Sequence, residues 1–423
     1  MALERKLGLA EIITICVGTI VGSGIYFLPI ITVLKHGLLS SLIGWVVGGI
    51  TCLFISISMA VHTKKSVGVS GGPVSQAYCA FGNKVGYITG WSLWISYIAS
   101  LATLSVAFSD ALLEILGLNG FFYHSIIAIG ILLVNLVINL LGVKIVGKLQ
   151  NIITLAKIIP IIIFIFACFF FLPHGGAINF GDLSFFSVGA VAAITVWAYT
   201  GFEAGPIPSE ETKKPKRNIP YGVLFGMIIV LALYLPVVFF VGSYLPQGGD
   251  FSGSLIGFSK NFLGFIVPVM SLGILLSVGG CLNGSTLVTS RVLYGISREE
   301  KWKYNLKLNK FKIPYRTLCL QTLLSALLIF TGTFEQLALF TAFAYLIPYV
   351  ISSASASALI KKSNELIFVP PGKYLIPLGG VILSLWLLYE SFIGLTILQS
   401  IIAIALIFSG FPIYYLVKLR TKI

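Results

Sequence analysis

An all-α integral membrane protein with twelve transmembrane helices is the fold class this sequence predicts, on three observations. Hydrophobic residues fill 57% of the 423 positions and charged residues only 10%, where an ordinary soluble globule carries about 25% charge. The mean hydropathy of +1.00 agrees. Second, a span needs roughly 20 mainly apolar residues, and twelve stretches qualify: 9–34, 38–61, 86–116, 121–142, 149–172, 185–207, 220–244, 262–297, 315–332, 335–359, 374–391 and 393–417. Third, with both termini placed in the cytoplasm, 25 of the 28 Lys and Arg residues fall on the inner side, only Lys35 and Lys260 fall outside, and Lys157 lies within a span. The positive-inside rule thus supports both the count and the direction.

The elements follow in order. Arg5 and Lys6 precede an apolar stretch too long for a signal peptide, so it is read as the first span. Within it the run Gly18-Thr19-Ile20-Val21-Gly22-Ser23-Gly24, followed by Pro29, predicts a break. Residues 62–84, with Ser70-Gly71-Gly72-Pro73, suit a segment packed against the cytoplasmic membrane face. A second break is expected in the sixth span, at Tyr199-Thr200-Gly201-Phe202-Glu203-Ala204-Gly205-Pro206. The Lys-rich loop from Arg298 to Arg316 suggests a short amphipathic helix around Trp302, Tyr304 and Leu306. Loops are short, so 1–423 reads as one membrane domain.

The two breaks lie five spans apart, and an odd offset makes the segments that carry them run in opposite directions. Residues 1–172 and 185–359 are therefore read as a five-plus-five inverted repeat, with 374–417 as two additional helices. Paired interruptions are also the best sequence pointer to a transporter binding site, because unwound backbone supplies polar groups that lipid does not. The half-helix that starts near Gly24 points free N–H groups and its positive dipole end at the break, beside the Ser23 hydroxyl, which suits a carboxylate. The half-helices that end before the breaks leave carbonyls free for an ammonium group. A zwitterionic α-amino acid carries both charges. The competing reading is that Gly and Ser are there only for close helix packing.

Several motifs carry a family resemblance. Gly18 to Gly24 with Ile25-Tyr26 resembles the first-helix signature of the amino acid–polyamine–organocation (APC) transporters. Trp197-Ala198-Tyr199-Thr200-Gly201-Phe202-Glu203, with Glu210-Glu211-Thr212-Lys213-Lys214-Pro215, resembles their sixth-helix motif, and Leu282-Asn283-Gly284 and Ser290-Arg291 add the eighth. The resemblance implies the five-plus-five inverted-repeat fold shared with sodium-coupled amino acid symporters, with the first and sixth helices unwound at mid-membrane. By position it implies that Gly22, Ser23 and Gly24 bind the substrate carboxylate, and that the carbonyls of Ile20, Trp197, Ala198 and Thr200, beside Gly201, take the amine. Asn283 is placed near the substrate, and Trp197 where the family has an aromatic gate. Where some arginine exchangers have a second tryptophan this chain has Ser285, which weakens an arginine reading.

Lys157 is the one Lys or Arg deep within an apolar span, a costly placement that normally marks function, with snorkelling as the alternative. Sodium-independent members of the resembled family have a lysine there in place of a coupling sodium, so Lys157 and Glu203 are the candidate coupling residues and no sodium requirement is expected. Glu203 also suits a structural hydrogen-bonding role, and Arg291, with Glu210 and Glu211, an inner gate. Asp110 and Glu114 are read as solvated at the external end of span three. Pocket walls are expected around Ser96, Ser100, Asn283 and Ala344.

The six cysteines lack ligand spacing and read as packing residues; no metal site, disulfide framework or cofactor is expected. The net charge of +14 is dispersed over loops facing anionic lipid, so no nucleic-acid partner is expected. No His/Glu set or carboxylate pair supports an intramembrane enzyme. The function expected is sodium-independent amino acid transport across the cell membrane by alternating access, as proton symport or exchange, with an amino acid, protons and the bilayer as partners. A polyamine or cationic amino acid exchanger and a non-transporting sensor or partner subunit are the alternatives. Small neutral or aliphatic substrates fit better than cationic ones.

Overall fold

The computed structural model describes residues 7–61, 72–141, 157–172, 179–204, 212–245, 253–302, 307–311, 313–362, 366, 368–370 and 372–421. These residues form helices, with no β-sheet among them. In chain order the helices are α1 (Leu9–Ile20), α2 (Gly24–His36), α3 (Leu38–Met59), α4 (Pro73–Phe81), α5 (Asn83–Leu116), α6 (Phe121–Leu140), α7 (Ile159–Phe171), α8 (Phe185–Tyr199), α9 (Pro215–Tyr244), α10 (Leu255–Phe262), α11 (Val267–Glu299), α12 (Tyr315–Ile329), α13 (Phe334–Lys362), α14 (Leu375–Ile393), α15 (Ile397–Phe408) and α16 (Gly410–Thr421). Eight helices are long and apolar enough to cross a membrane, nine when α1 and α2, bent by 55° at their junction, count as one.

The first break falls within the Gly18–Gly24 run. Val21 turns extended, with its N–H still donating to the Val17 carbonyl, and helix resumes at Gly24. The second follows Tyr199: Thr200 is extended, Gly201 takes a φ of +112°, and a 3-10 turn covers Phe202–Ala204. Thr19 Oγ1 donates to the Gly201 carbonyl at 2.8 Å, so each break steadies the other. Behind them Trp45, Tyr199 and Tyr234 pack ring to ring, with centroids 5.5 to 5.9 Å apart.

Where lipid tails are as apolar as the side chains, helices associate through close packing and polar contacts rather than the hydrophobic effect. Gly44 and Gly48 on α3 let that helix approach Val191 and Thr195 of α8 closely, and Gly222 and Gly226 on α9 do the same against Ile12 and Cys16 of α1. The outer surface is apolar, as Phe166, Phe169 and Phe170 of α7 illustrate, while serines and threonines line the interior. Ser96 and Thr103 donate to carbonyls one turn back in α5, which leaves no buried hydroxyl unpaired at those positions.

Of the Gly/Pro-rich connector, residues 72–84 pack against neighbouring helices; residues 62–71 lie outside the described residues. Its helix α4 lies against α5 and α13, and Gln76, fully buried, donates from Nε2 to the Ser58, Met59 and Val61 carbonyls. These are carbonyls that the end of α3 leaves without helical partners. Ser352 of α13 donates to Gln76 Oε1 at 2.6 Å. In the other loop, the Trp302 N–H donates to Ser297 and ends α11; Tyr304 and Leu306 lie outside the described residues.

Asp110 and Glu114 are engaged rather than merely solvated. His124 Nε2 lies 3.0 Å from Asp110, and Ser254 donates to Glu114 through both its N–H and its hydroxyl. The helix-end position was visible in the chain, but these partners come from α6 and the start of α10. Lys35, at the end of α2, pairs with Glu335 of α13 at 2.6 Å.

Candidate functional site

A cavity of about 350 Å³ lies between the two breaks, walled by α5, α11 and α13. Of the residues expected at a binding site, Ile20, Gly22, Ser23, Gly24, Trp197, Ala198, Thr200 and Gly201 line it, together with Lys157 and Glu203. Tyr97, Ser100 and Leu104 form the α5 wall at helical spacing. Cys281, Gly284, Ser285 and Val288 do the same on α11, one turn apart, and Tyr345 closes the α13 side.

Asn283 does not line the cavity. Its position on α11 turns it toward α6, where its Oδ1 accepts from Asn139 Nδ2 at 3.3 Å. Ser96 and Ala344 are likewise outside the lining, displaced by their neighbours Tyr97 and Tyr345. Arg291 is exposed and away from the cavity, and its proposed partners Glu210 and Glu211 lie outside the described residues. In each case the helical rotation, about 100° per residue, decides which side chain faces inward.

The first break presents the N-terminus of α2, whose opening N–H groups lack helical acceptors. Ser23 is almost wholly buried, yet its Oγ has no partner among the described residues. The Trp197 indole N–H is in the same condition across the cavity. Buried polar atoms are normally paired, and two of those left without a partner among the described residues belong to residues in the wall of this cavity.

Of the four carbonyls expected to receive an amine, three already have protein donors. Tyr234 of α9 offers its hydroxyl to Ile20 at 3.4 Å and to Ala198 at 3.3 Å, and the Thr200 hydroxyl donates to Trp197 at 2.7 Å. The Thr200 carbonyl has no donor among the described residues. A carbonyl has two lone pairs, so the first three retain accepting capacity; Thr200 has all of its own.

Gly24 and Gly201 are held to glycine by space. A Cβ on Gly24 would fall 2.6 Å from the Ala198 Cα, and one on Gly201 would press into the Thr19 carbonyl. The glycines therefore let the two broken helices touch backbone to backbone. A bulky residue at Gly24 would separate them whatever the ligand.

Lys157 is fully buried just before α7; residues 142–156, which precede it, lie outside the described residues. Its Nζ lies 3.6 Å from Cys281 Sγ, and that sulfur lies 3.7 Å from the Val21 carbonyl in the first break. Lysine thus reaches the break through a thiol. Glu203 is buried with three donors: the Gly201 N–H at 2.9 Å, Tyr97 at 3.1 Å and Tyr349 at 3.2 Å.

Glu203→Ala is expected to destabilise the protein strongly, since each buried donor left unpaired costs roughly 1–3 kcal/mol. Glu203→Gln keeps one carbonyl acceptor and should lose less. Thermal unfolding of the purified variants, followed by size-exclusion chromatography, ranks them; equal melting points for Ala and wild type would contradict the network.

Comparison with known proteins gives the family. The amino acid permease family profile matches residues 7–417. The chain belongs to the amino acid permease family. This permease is a membrane transporter of amino acids rather than an enzyme. It is similar to the branched-chain amino acid permease BcaP of Bacillus subtilis (strain 168), 27% identical over 413 residues, 92% of this chain and 88% of the relative. The serine/threonine exchanger SteT of the same organism is 26% identical over 432 residues, 99% and 98% of the two chains. The putrescine transporter PotE of Escherichia coli (strain K12) is 25% identical over 447 residues, 100% and 98%.

Sequence reasoning missed Tyr97, Tyr234, Tyr345, Tyr349 and Cys281 in the permease. A buried tyrosine hydroxyl needs a partner, so tyrosines inside apolar spans were the available signal. Nothing along the chain tells which partner each one finds.

Proposed function

We propose that the central cavity is the substrate site of an alternating-access carrier for neutral amino acids that works without sodium. The observation that carries this reading is one cavity between two helix breaks, in whose wall Ser23 and Trp197 each keep a buried polar atom without a partner among the described residues. The substrate carboxylate sits at the α2 N-terminus with Gly22, Ser23 and Gly24, where N–H groups and dipole favour an anion. The amine faces the carbonyl side, with Thr200 the acceptor least committed elsewhere and Ile20, Trp197 and Ala198 behind it. Trp197 lies over the substrate as an aromatic gate.

The names of the relatives range from branched-chain and hydroxyl amino acids to a diamine. The choice among them rests on the lining. Apart from Lys157 and Glu203 its side chains are neutral, and Glu203 already accepts three bonds. The lining thus offers a cationic side chain no carboxylate that is free of other bonds, and a neutral side chain needs none. Leu104, Leu287, Val288, Ser100 and Ser285 suit an aliphatic or hydroxyl-bearing one.

For architecture, the nine spans and the three shorter apolar helices, Ile159–Phe171, Phe185–Tyr199 and Tyr315–Ile329, make twelve. The broken elements then fall in spans one and six, as an inverted five-plus-five repeat requires. The segregation of Lys and Arg supports cytoplasmic termini in the cell membrane. Lys157, a buried cation tied to the first break, takes the place of a coupling sodium, and Glu203 holds the second break to α5 and α13.

Uptake of labelled neutral, cationic and diamine substrates into proteoliposomes, with sodium, pH and preloaded substrate varied separately, tests this reading. Uptake of neutral amino acids without sodium is expected; a pH gradient that drives it identifies symport, and a requirement for internal substrate identifies exchange. Absence of flux with retained binding would make the protein a sensor. Ser23→Ala should weaken apparent affinity only about 2- to 12-fold, the equivalent of one hydrogen bond of 0.5–1.5 kcal/mol, because the backbone N–H groups remain.

A further inference from the structure

Cys281 is the one cysteine in the wall of the central cavity. Cys16, Cys52 and Cys168 are buried elsewhere in the bundle, Cys79 and Cys319 are exposed on other helices, and Cys281 is half-buried. Its sulfur lies 3.6 Å from the Lys157 ammonium and 3.7 Å from the Val21 carbonyl, and a Cβ on Gly22 would sit 3.1 Å from it. The packing role expected of all six cysteines therefore does not describe this one. It joins α11 to the first break and borders open volume. The same wall holds the Ser23 hydroxyl and the Trp197 indole N–H, both on residues more than nine-tenths buried and both without a partner among the described residues.

We propose that Cys281 is a modification site inside the transport cavity, where thiol–disulfide exchange with a small disulfide arrests transport. The anionic form of sulfur is the attacking species, and the Lys157 Nζ stands as a hydrogen-bond donor beside the atom that becomes negative as it attacks. In the exchange a bond forms between Cys281 Sγ and one sulfur of the disulfide, the disulfide's own S–S bond breaks, and the departing thiol carries off the proton that Cys281 loses. The added group then occupies volume at the first break where the substrate carboxylate sits, and it removes the thiol through which Lys157 meets Val21. A reductant reverses the change. The proposal rests on the cavity being the substrate site.

Methyl methanethiosulfonate, which transfers a methylthio group and releases methanesulfinate, is the probe. Wild-type proteoliposomes treated with it should lose neutral amino acid uptake and regain it with dithiothreitol. Mass spectrometry should find the methylthio group on Cys281. Substrate at ten times its Kd should slow that labelling about tenfold, since only about one site in eleven is then free. The uptake that Cys281→Ser retains should no longer fall on treatment, and the wild-type labelling measurement stands even if that variant is inactive. Cys281 left unlabelled while Cys79 and Cys319 react, labelling that leaves wild-type uptake intact, or Cys281→Ser inhibited like wild type would each overturn the proposal. Labelling and reversible arrest without substrate protection would support the switch while refuting the cavity as the substrate site.

Discussion

Gly201→Ala is expected to abolish uptake and to destabilise the folded permease by roughly 2–6 kcal/mol. Two costs combine. A φ of +112° is one that side-chain-bearing residues rarely adopt, costing about 1–3 kcal/mol, and the new Cβ would press into the Thr19 carbonyl, with overpacking worth about 1–3 kcal/mol more. Neither atom of that clash belongs to a side chain that can rotate away. The clash also separates Thr19 Oγ1 from the Gly201 carbonyl, the bond that ties one break to the other. Thermal unfolding in detergent and uptake in proteoliposomes measure the two effects. Gly24→Ala tests the other close approach between the two breaks: its Cβ would meet the Ala198 Cα as well as the Ala198 Cβ, so Ala198→Gly should not rescue it. Wild-type uptake by Gly201→Ala would refute the account of the second break.

Lys157→Ala is the second large effect. Uptake by the wild-type protein should be unchanged when sodium is replaced by potassium, and Lys157→Ala should reduce it by about tenfold or more, equivalent to at least about 1.4 kcal/mol. The reason is geometric: Lys157 is fully buried, meets Cys281, and through it the Val21 carbonyl beside the proposed substrate site. Removing it takes away the buried side chain that meets Cys281 next to the first break. Sodium-driven accumulation by the wild type, or unimpaired uptake by Lys157→Ala, would sink the argument.

Much of the architecture was legible along the chain because membrane spans obey local rules. Twenty apolar residues announce a span, and a Gly/Ser run within one announces a break at the right place, residues 21–23 for the first and 200–201 for the second. Close packing of the breaks was less visible: Gly24 reads as a ligand-contact position, yet its nearest constraint is Ala198. The cavity wall was legible only to within a turn: Ser100 lines it, whereas Ser96, Asn283 and Ala344 do not. Their neighbours Tyr97, Gly284 and Tyr345 take the inward face.

The amino-acid sequence by itself determined that this chain is a helical membrane protein, where its helices are interrupted, and which family it resembles. All three depend on local composition and order, because lipid penalises any unpaired backbone group regardless of its surroundings. Only the tertiary structure decided that Tyr97 and Tyr349 hold Glu203, that Tyr234 spans the Ile20 and Ala198 carbonyls, and that Cys281 stands between Lys157 and the first break. Those contacts join residues tens to hundreds of positions apart, and they depend on helix rotations and close approaches that every helix in the bundle sets together.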